Sequence, residues 1–408
     1  MDPKDDCGRR QVRDEFASMA PPLADRRSNM TRNPTGQDRD PSISRQRCVT
    51  FLGAAFGIIV SVLNVAGQDN AGAGLREQAV IEYRLGHYPQ AELLLNRVLE
   101  AAQQTSNEYD IALIYSALAN TYQEEMRFQE AEQLYRKGIS ILLLQPERSL
   151  VLAIIWRNLA STLTAETDYR GALAALDRAS KLVETKKLVD AKLNAEILNG
   201  RGIVYFYQGH LGKAKTYLDR AAQIIPASIE PQDLSAEDIL NNLARVYQNS
   251  GESRKAEGTY KHALELTEMR LGPSHPNLAL TLTNLGNLCI EMKRYKDAES
   301  YFQRSLQILA QPETLTNEYR LMEALSLLGK TYMKENDPSR AEPMLRRAAD
   351  IARRHQNQPF WISEIPYVLD DYAAVLRELW NSEDADLLHA EAQRIRAAAA
   401  FTVRVKSK

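Results

Sequence analysis

Residues 241–264 read NNLARVYQNSGESRKAEGTYKHAL. Two amphipathic segments meet at Gly251-Glu252, a pairing that ends one helix and opens the next. Ala256, Tyr260 and Ala263 are spaced by 4, 3 and 7, which places them on one helix face. Ala244 stands twelve residues before Ala256. Small side chains at 244, 256 and 263 let two backbones approach, and the ring of Tyr260 fills the groove beside them. The stretch predicts a pair of antiparallel helices.

The same pattern extends in both directions. Ala91, Ala131, Ala172, Ala214, Ala256, Ala298, Ala341 and Ala385 recur at intervals of 40 to 44 residues. Twelve residues before each stands another small side chain: Ala79, Ala119, Ala160, Gly202, Ala244, Gly286, Gly329 and Ala373. Seven residues after each anchor the side chain is small again in every unit except the first, where it is Val98. Large apolar residues such as Leu94, Tyr135, Leu176, Leu218, Phe302 and Leu345 follow the anchors by three or four. Breaks fall just ahead of the anchors, at Gly86-His87-Tyr88-Pro89, Gly209-His210 and Asp337-Pro338. Such a period predicts stacked helix pairs, each too small to bury its apolar face alone. No stretch alternates with period two over a useful length, so strands are not expected.

This pattern resembles the tetratricopeptide repeat (TPR) family over about residues 75 to 400. The units that carry the resemblance best are Asn241 to Tyr247 with Ala256 to Leu264, and Thr283 to Leu288 with Tyr295 to Leu306. Leu271-Gly272-Pro273-Ser274-His275-Pro276 looks like the inter-repeat loop of the 42-residue, kinesin-light-chain-like subclass, in a bacterial-type repeat protein. The first and last units depart most, with Glu82 and Leu376 where an aromatic is common. The resemblance implies an all-α fold, a right-handed αα superhelix of about eight helix pairs, whose first helices line a concave channel that binds other polypeptides.

Mapping that channel onto this sequence selects positions fifteen, fourteen, eleven, eight and seven residues before each anchor. They include Asn120, Arg157, Asn158, Asn199, Asn241, Asn242, Arg245, Asn284, Asn287 and Lys330, with Phe206 and Tyr207 in the fourth unit. Asparagine is mildly unfavourable inside helices, so its recurrence here wants a reason. An amide carries donors and an acceptor together and can bind the backbone of an extended peptide whatever its side chains. Arg157, Arg245 and Lys330 would favour acidic side chains or a carboxylate. The alternative is that the asparagines bond between neighbouring units. The function implied is a non-enzymatic scaffold or adaptor for a protein or extended peptide; the alternative is a regulatory sensor that tightens around its ligand.

Other chemistry finds little support. Among 408 residues the net charge is −2, which offers no basic field for nucleic acid. Of Cys7, Cys48 and Cys289 only the last lies in the repeats, where it reads as a small buried hydrophobe. The six histidines have no metal-ligand spacing. Gly329-Lys330-Thr331 resembles the end of a phosphate loop, but Ala324 stands where the first glycine is needed. No cofactor, metal or enzymatic activity is expected.

Ahead of the repeats the composition changes twice. Residues 1–47, with ten Lys/Arg against eight Asp/Glu and no apolar periodicity, are expected to be disordered. Cys48 to Ala66, CVTFLGAAFGIIVSVLNVA, carries no charge, follows Arg45 and Arg47, and leads to the small residues Ala66-Gly67. That predicts a signal peptide or transmembrane anchor at 48–67, giving membrane association or export with the repeats outside the cytoplasm; the alternative is a cytoplasmic protein. Residues 401–408 are expected to form a basic C-terminal tail.

Overall fold

The computed structural model describes residues 70–406, apart from residues 106, 187–189, 225–234, 311–313 and 357–360. The expected tail at 1–47 and the apolar segment at 48–67 therefore lie outside the described residues. The helices pair as α1 (Asn70–Arg84) with α2 (Tyr88–Gln104), α3 (Glu108–Glu124) with α4 (Phe128–Leu142), and α5 (Ser149–Ala165) with α6 (Tyr169–Thr185). Next come α7 (Ala191–Tyr207) with α8 (Leu211–Ile224), α9 (Ser235–Asn249) with α10 (Ser253–Leu271), and α11 (Leu278–Glu291) with α12 (Tyr295–Ile308). The last pairs are α13 (Leu315–Lys334) with α14 (Pro338–Arg354), and α15 (Ile365–Glu378) with α16 (Ser382–Lys406). Short 3₁₀ turns occur at Pro146–Arg148 and Trp361–Ser363. Among the described residues there is no strand, and no helix is long and apolar enough to cross a membrane. Helix α16 runs on to Lys406, so residues 401–406 continue the last helix.

Each pair closes through the same turn. Gly86, Met126, Thr167, Gly209, Gly251, Lys293, Asn336 and Trp380 all have φ between 58° and 80°, and they repeat with the period of the anchors. The next residue donates its N–H to a carbonyl five positions back, as from Arg127 to Tyr122 (2.8 Å), Asp168 to Leu163 (2.8 Å) and Glu252 to Tyr247 (2.9 Å). This is the left-handed helix stop that satisfies otherwise orphaned carbonyls. Glycine marked only some of these turns in the sequence. Elsewhere a side chain accepts the left-handed strain because the helices on both sides dictate the turn.

The small residues of the repeat lie where the pairs meet. A Cβ on Gly202 would come within 2.5 Å of Leu218, on Gly286 within 2.6 Å of Phe302, and on Gly329 within 2.5 Å of Leu345. All three contacts join the first helix of a unit to the second helix of the same unit, sixteen residues on. Ala91, Ala131, Ala172, Ala214, Ala256, Ala298, Ala341 and Ala385 are all fully buried. Cys289 is buried among Phe302, Leu328 and Leu345, and burial pushes its thiol up to about 11, so it is an inert core residue. Gly329-Lys330-Thr331 lies inside α13, with Thr331 Oγ1 donating to the Leu327 carbonyl (2.8 Å), so it presents no phosphate loop.

Candidate functional site: the inner wall

Successive first helices pack on one another, α3 on α5, α5 on α7, α7 on α9, and so on to α15, while second helices do not approach each other as closely. The first helices therefore lie on the inside of the curve. Buried polar side chains crowd onto them: among the described residues only Thr267 and Ser305 are buried polar groups on second helices. The inner wall is a polar interface built between apolar ones.

The ten residues selected from sequence all lie on first helices. Asn120, Arg157, Asn158, Asn199, Asn241, Asn242, Arg245 and Asn284 are buried, whereas Asn287 and Lys330 keep some solvent contact. Several bridge neighbouring units. Asn158 Nδ2 donates to Asn120 Oδ1 (3.2 Å) and Asn242 Nδ2 to Asn199 Oδ1 (3.0 Å). Arg157 pairs with Glu196 at 2.6 Å, and Ser235 Oγ donates to the other oxygen of that carboxylate at 2.9 Å. Lys330 pairs with Asp371 at 2.6 Å. Asn241 Nδ2 turns back to the Glu237 carbonyl of its own helix (3.0 Å). Arg245 lies over the rings of Phe206 (4.8 Å) and Tyr207 (5.7 Å), both buried in the core of their unit. The asparagine bonding anticipated as the alternative joins units two and three, and units four and five.

These bonds leave part of the amide capacity unused. Asn120 Nδ2, Asn158 Oδ1, Asn241 Oδ1, Asn242 Oδ1 and Asn284 Nδ2 are buried without a hydrogen-bond partner in the protein. A recess of about 30 Å³, room for a water or two, opens beside Arg157, Glu196, Asn199 and Asp238.

The sequence reading overlooked the acids of this wall. Glu124 lies seven residues before Ala131, at one of the offsets that map the wall. Glu196, Asp238 and Glu323 share a position eighteen before their anchors, one turn beyond those offsets. Glu124 accepts from Tyr83 (3.4 Å) and Tyr88 (3.3 Å), and burial pushes its carboxyl up to about 7. Glu323 on α13 keeps some solvent contact, and its carboxyl is likewise pushed up to about 7 by burial. Arg320 is buried, and the loss of hydration holds its guanidinium below the usual range.

Comparison with known proteins agrees with this architecture. Residues 235–311 and 324–359 each match a tetratricopeptide repeat model. Human "Tetratricopeptide repeat protein 19, mitochondrial" is 24% identical over 237 residues, covering 53% of this chain and 61% of the relative. The rat protein of the same name is 24% identical over 238 residues, covering 53% and 63%. The chain thus spans about six tenths of the length of these relatives. Among solved structures, a Rap protein complexed with Competence and Sporulation Factor superposes with a TM-score of 0.59 at 14% identity, over 89% of this chain and 99% of that one. A signal-transduction ATPase with a tetratricopeptide repeat sensor from Pyrococcus horikoshii gives 0.54 at 14% identity, over 85% and 52%. At these identities the likeness is one of fold. Residues 235–311 and 324–359 thus carry tetratricopeptide repeats, and the described residues form an all-helical solenoid of eight helix pairs, a fold typical of protein-binding scaffolds and adaptors.

Proposed function

We propose that this chain is a non-catalytic adaptor whose inner wall holds an extended segment of a partner protein. The observation that carries the reading is the set of buried, partnerless amide atoms on Asn120, Asn158, Asn241, Asn242 and Asn284. A buried polar atom left unpaired costs about 1–3 kcal/mol, and a bound peptide backbone would satisfy several at once. Asn287, half-exposed on α11, would extend the same row. The 42-residue, kinesin-light-chain-like subclass is part of the proposal, resting on the period and on the loop at Leu271 to Pro276.

A photo-crosslinking residue at 287 tests this in the native cells, with a second at Met269, which is 73% exposed on α10, as the outer control. Attachment of a partner from 287 and not from 269 is expected. Equal capture from both positions would remove the inner wall from the account.

The alternative reading, a ligand-responsive sensor, is favoured by one observation: the solenoid touches itself across a long sequence separation, as described below. Two structural neighbours are a Rap protein complexed with a factor and an ATPase with a repeat sensor. For location, we propose that 48–67 acts as an export signal or anchor. The mitochondrial relatives make a membrane-bounded compartment a consistent destination. Fractionation with antibodies to both ends of the chain decides whether the segment is cut or retained.

A further inference from the structure

In a solenoid each unit contacts its neighbours, so a bond between distant units needs its own cause. Here Thr316 Oγ1, at the start of α13, donates to the Glu124 carbonyl at 3.4 Å across 192 residues. The α1–α2 turn joins the seam, since a Cβ on Gly86 would come within 2.5 Å of the Thr314 methyl. Met126, in the α3–α4 turn, is buried in the apolar cluster that holds Tyr319, Met322 and Trp361, with Phe128 packed against it. Units one and two therefore close onto unit seven, and the seam is a narrow set of side chains.

Arg320 stands one turn beyond Thr316, 8% exposed. Its charge acts on Glu124 of α3, Tyr88 of α2, Asp238 of α9, Glu323 of α13 and His275 of the α10–α11 loop. Yet its one hydrogen bond is a long one to Asn317 of its own helix (3.4 Å), and its Nε has no partner. Burying a guanidinium without a close carboxylate is costly. Arg157 and Lys330 are already taken by Glu196 and Asp371. Neither Glu124 nor Glu323, two carboxyls that Arg320's charge reaches, forms an ion pair; Arg245 and Lys330 also act on Glu323.

We propose that Arg320 is a built-in stand-in for the partner: it holds the place, between Glu124 and Glu323, of a basic side chain on the extended segment that enters when the seam opens. The inference rests on the inner-wall reading above and adds to it the charge of the ligand and the group that masks its site. It also departs from the acidic preference expected of Arg157 and Lys330, which are neutralised within the protein.

The test uses the full chain with Arg320→Ala, and nine-residue glycine peptides carrying a central arginine, its neutral isostere citrulline, or glutamate. The variant is expected to bind the arginine peptide about tenfold or more tighter than the citrulline one. Adding Glu124→Gln and Glu323→Gln should erase that difference. The wild-type chain, with its site filled, should show a smaller preference than Arg320→Ala. Should Arg320→Ala lose stability, millimolar methylguanidinium should restore its melting temperature where the same concentration of tetramethylammonium does not. Equal binding of the arginine and citrulline peptides by Arg320→Ala overturns the proposal while leaving a peptide groove intact. Rescue by methylguanidinium with no peptide binding overturns the groove reading, and with it the claim that a partner takes Arg320's place. Absence of both rescue and preference overturns the carboxylate site itself.

Discussion

Thr167 shows what the repeat demands of single residues. A β-branched side chain sits at φ 65° because the α5–α6 turn needs a left-handed residue there, and its side chain is exposed and gains little in return. Thr167→Gly should raise stability by about 1 kcal/mol, read as a higher urea midpoint with unchanged slope. Glu124 makes a second case. It faces Tyr83 of α1, Tyr88 of α2, Tyr135 of α4 and Arg320 of α13, and its carboxyl is raised from 4.5 to about 7, by burial first. The folded chain holds that proton more tightly than the unfolded chain. The resulting stabilisation is complete below pH 4.5 and fades as pH rises, to be gone above about pH 7. Its size is about 3 kcal/mol. Glu124→Gln, which keeps an acceptor for both tyrosines, should therefore be more stable than the parent at pH 8. At pH 5 the two should differ far less. Urea midpoints at both pH values check the sign, and a parent that outlasts the variant at pH 8 refutes it.

At the scale of helices, the repeat works because a missing side chain on one helix receives a large one from its partner. Gly286 lies under the ring of Phe302, with three ring atoms within 2.9 Å of a built Cβ. Gly286→Ala gains helix propensity of about 1 kcal/mol but must displace a ring with no exposed surface. A net loss of about 1–2 kcal/mol is expected. Phe302→Leu should recover part of that loss in the double variant, though alone it destabilises. Strict additivity in that cycle would show that the two positions do not share the contact. The polar ladder obeys the same logic on the inner face. Asn120 with Asn158, and Asn199 with Asn242, each join two units through one amide edge, and Asn120, Asn158 and Asn242 leave the other edge unpaired.

For the whole molecule, the seam between units two and seven decides whether the channel is open. Met126→Asn removes the apolar contact while keeping a residue tolerant of the left-handed turn. Combined with Thr316→Val it should increase the radius of gyration in small-angle scattering without changing helicity by circular dichroism. An unchanged radius would mean that stacking alone holds the ring shut. The curvature that brings α13 to Glu124 is a sum of small rotations over five units, so modest changes anywhere along the stack can move the seam.

Period, helix pairing and the contact surfaces were legible in the chain itself, because they depend on side-chain size at fixed spacing. Ala256 and its seven equivalents are all fully buried, and the three glycines twelve residues upstream lie under the residues four after each anchor. The inner wall was legible as a set of positions, since helical geometry fixes which offsets share a face. Which charges remain open there was decided only by the fold. Arg157 meets Glu196 39 residues away, Lys330 meets Asp371, and Glu124 meets unit seven across 192 residues. Spacing within a helix says nothing about partners in other units. Accumulated superhelical curvature chooses them, and burial then sets the protonation of what is left unpaired.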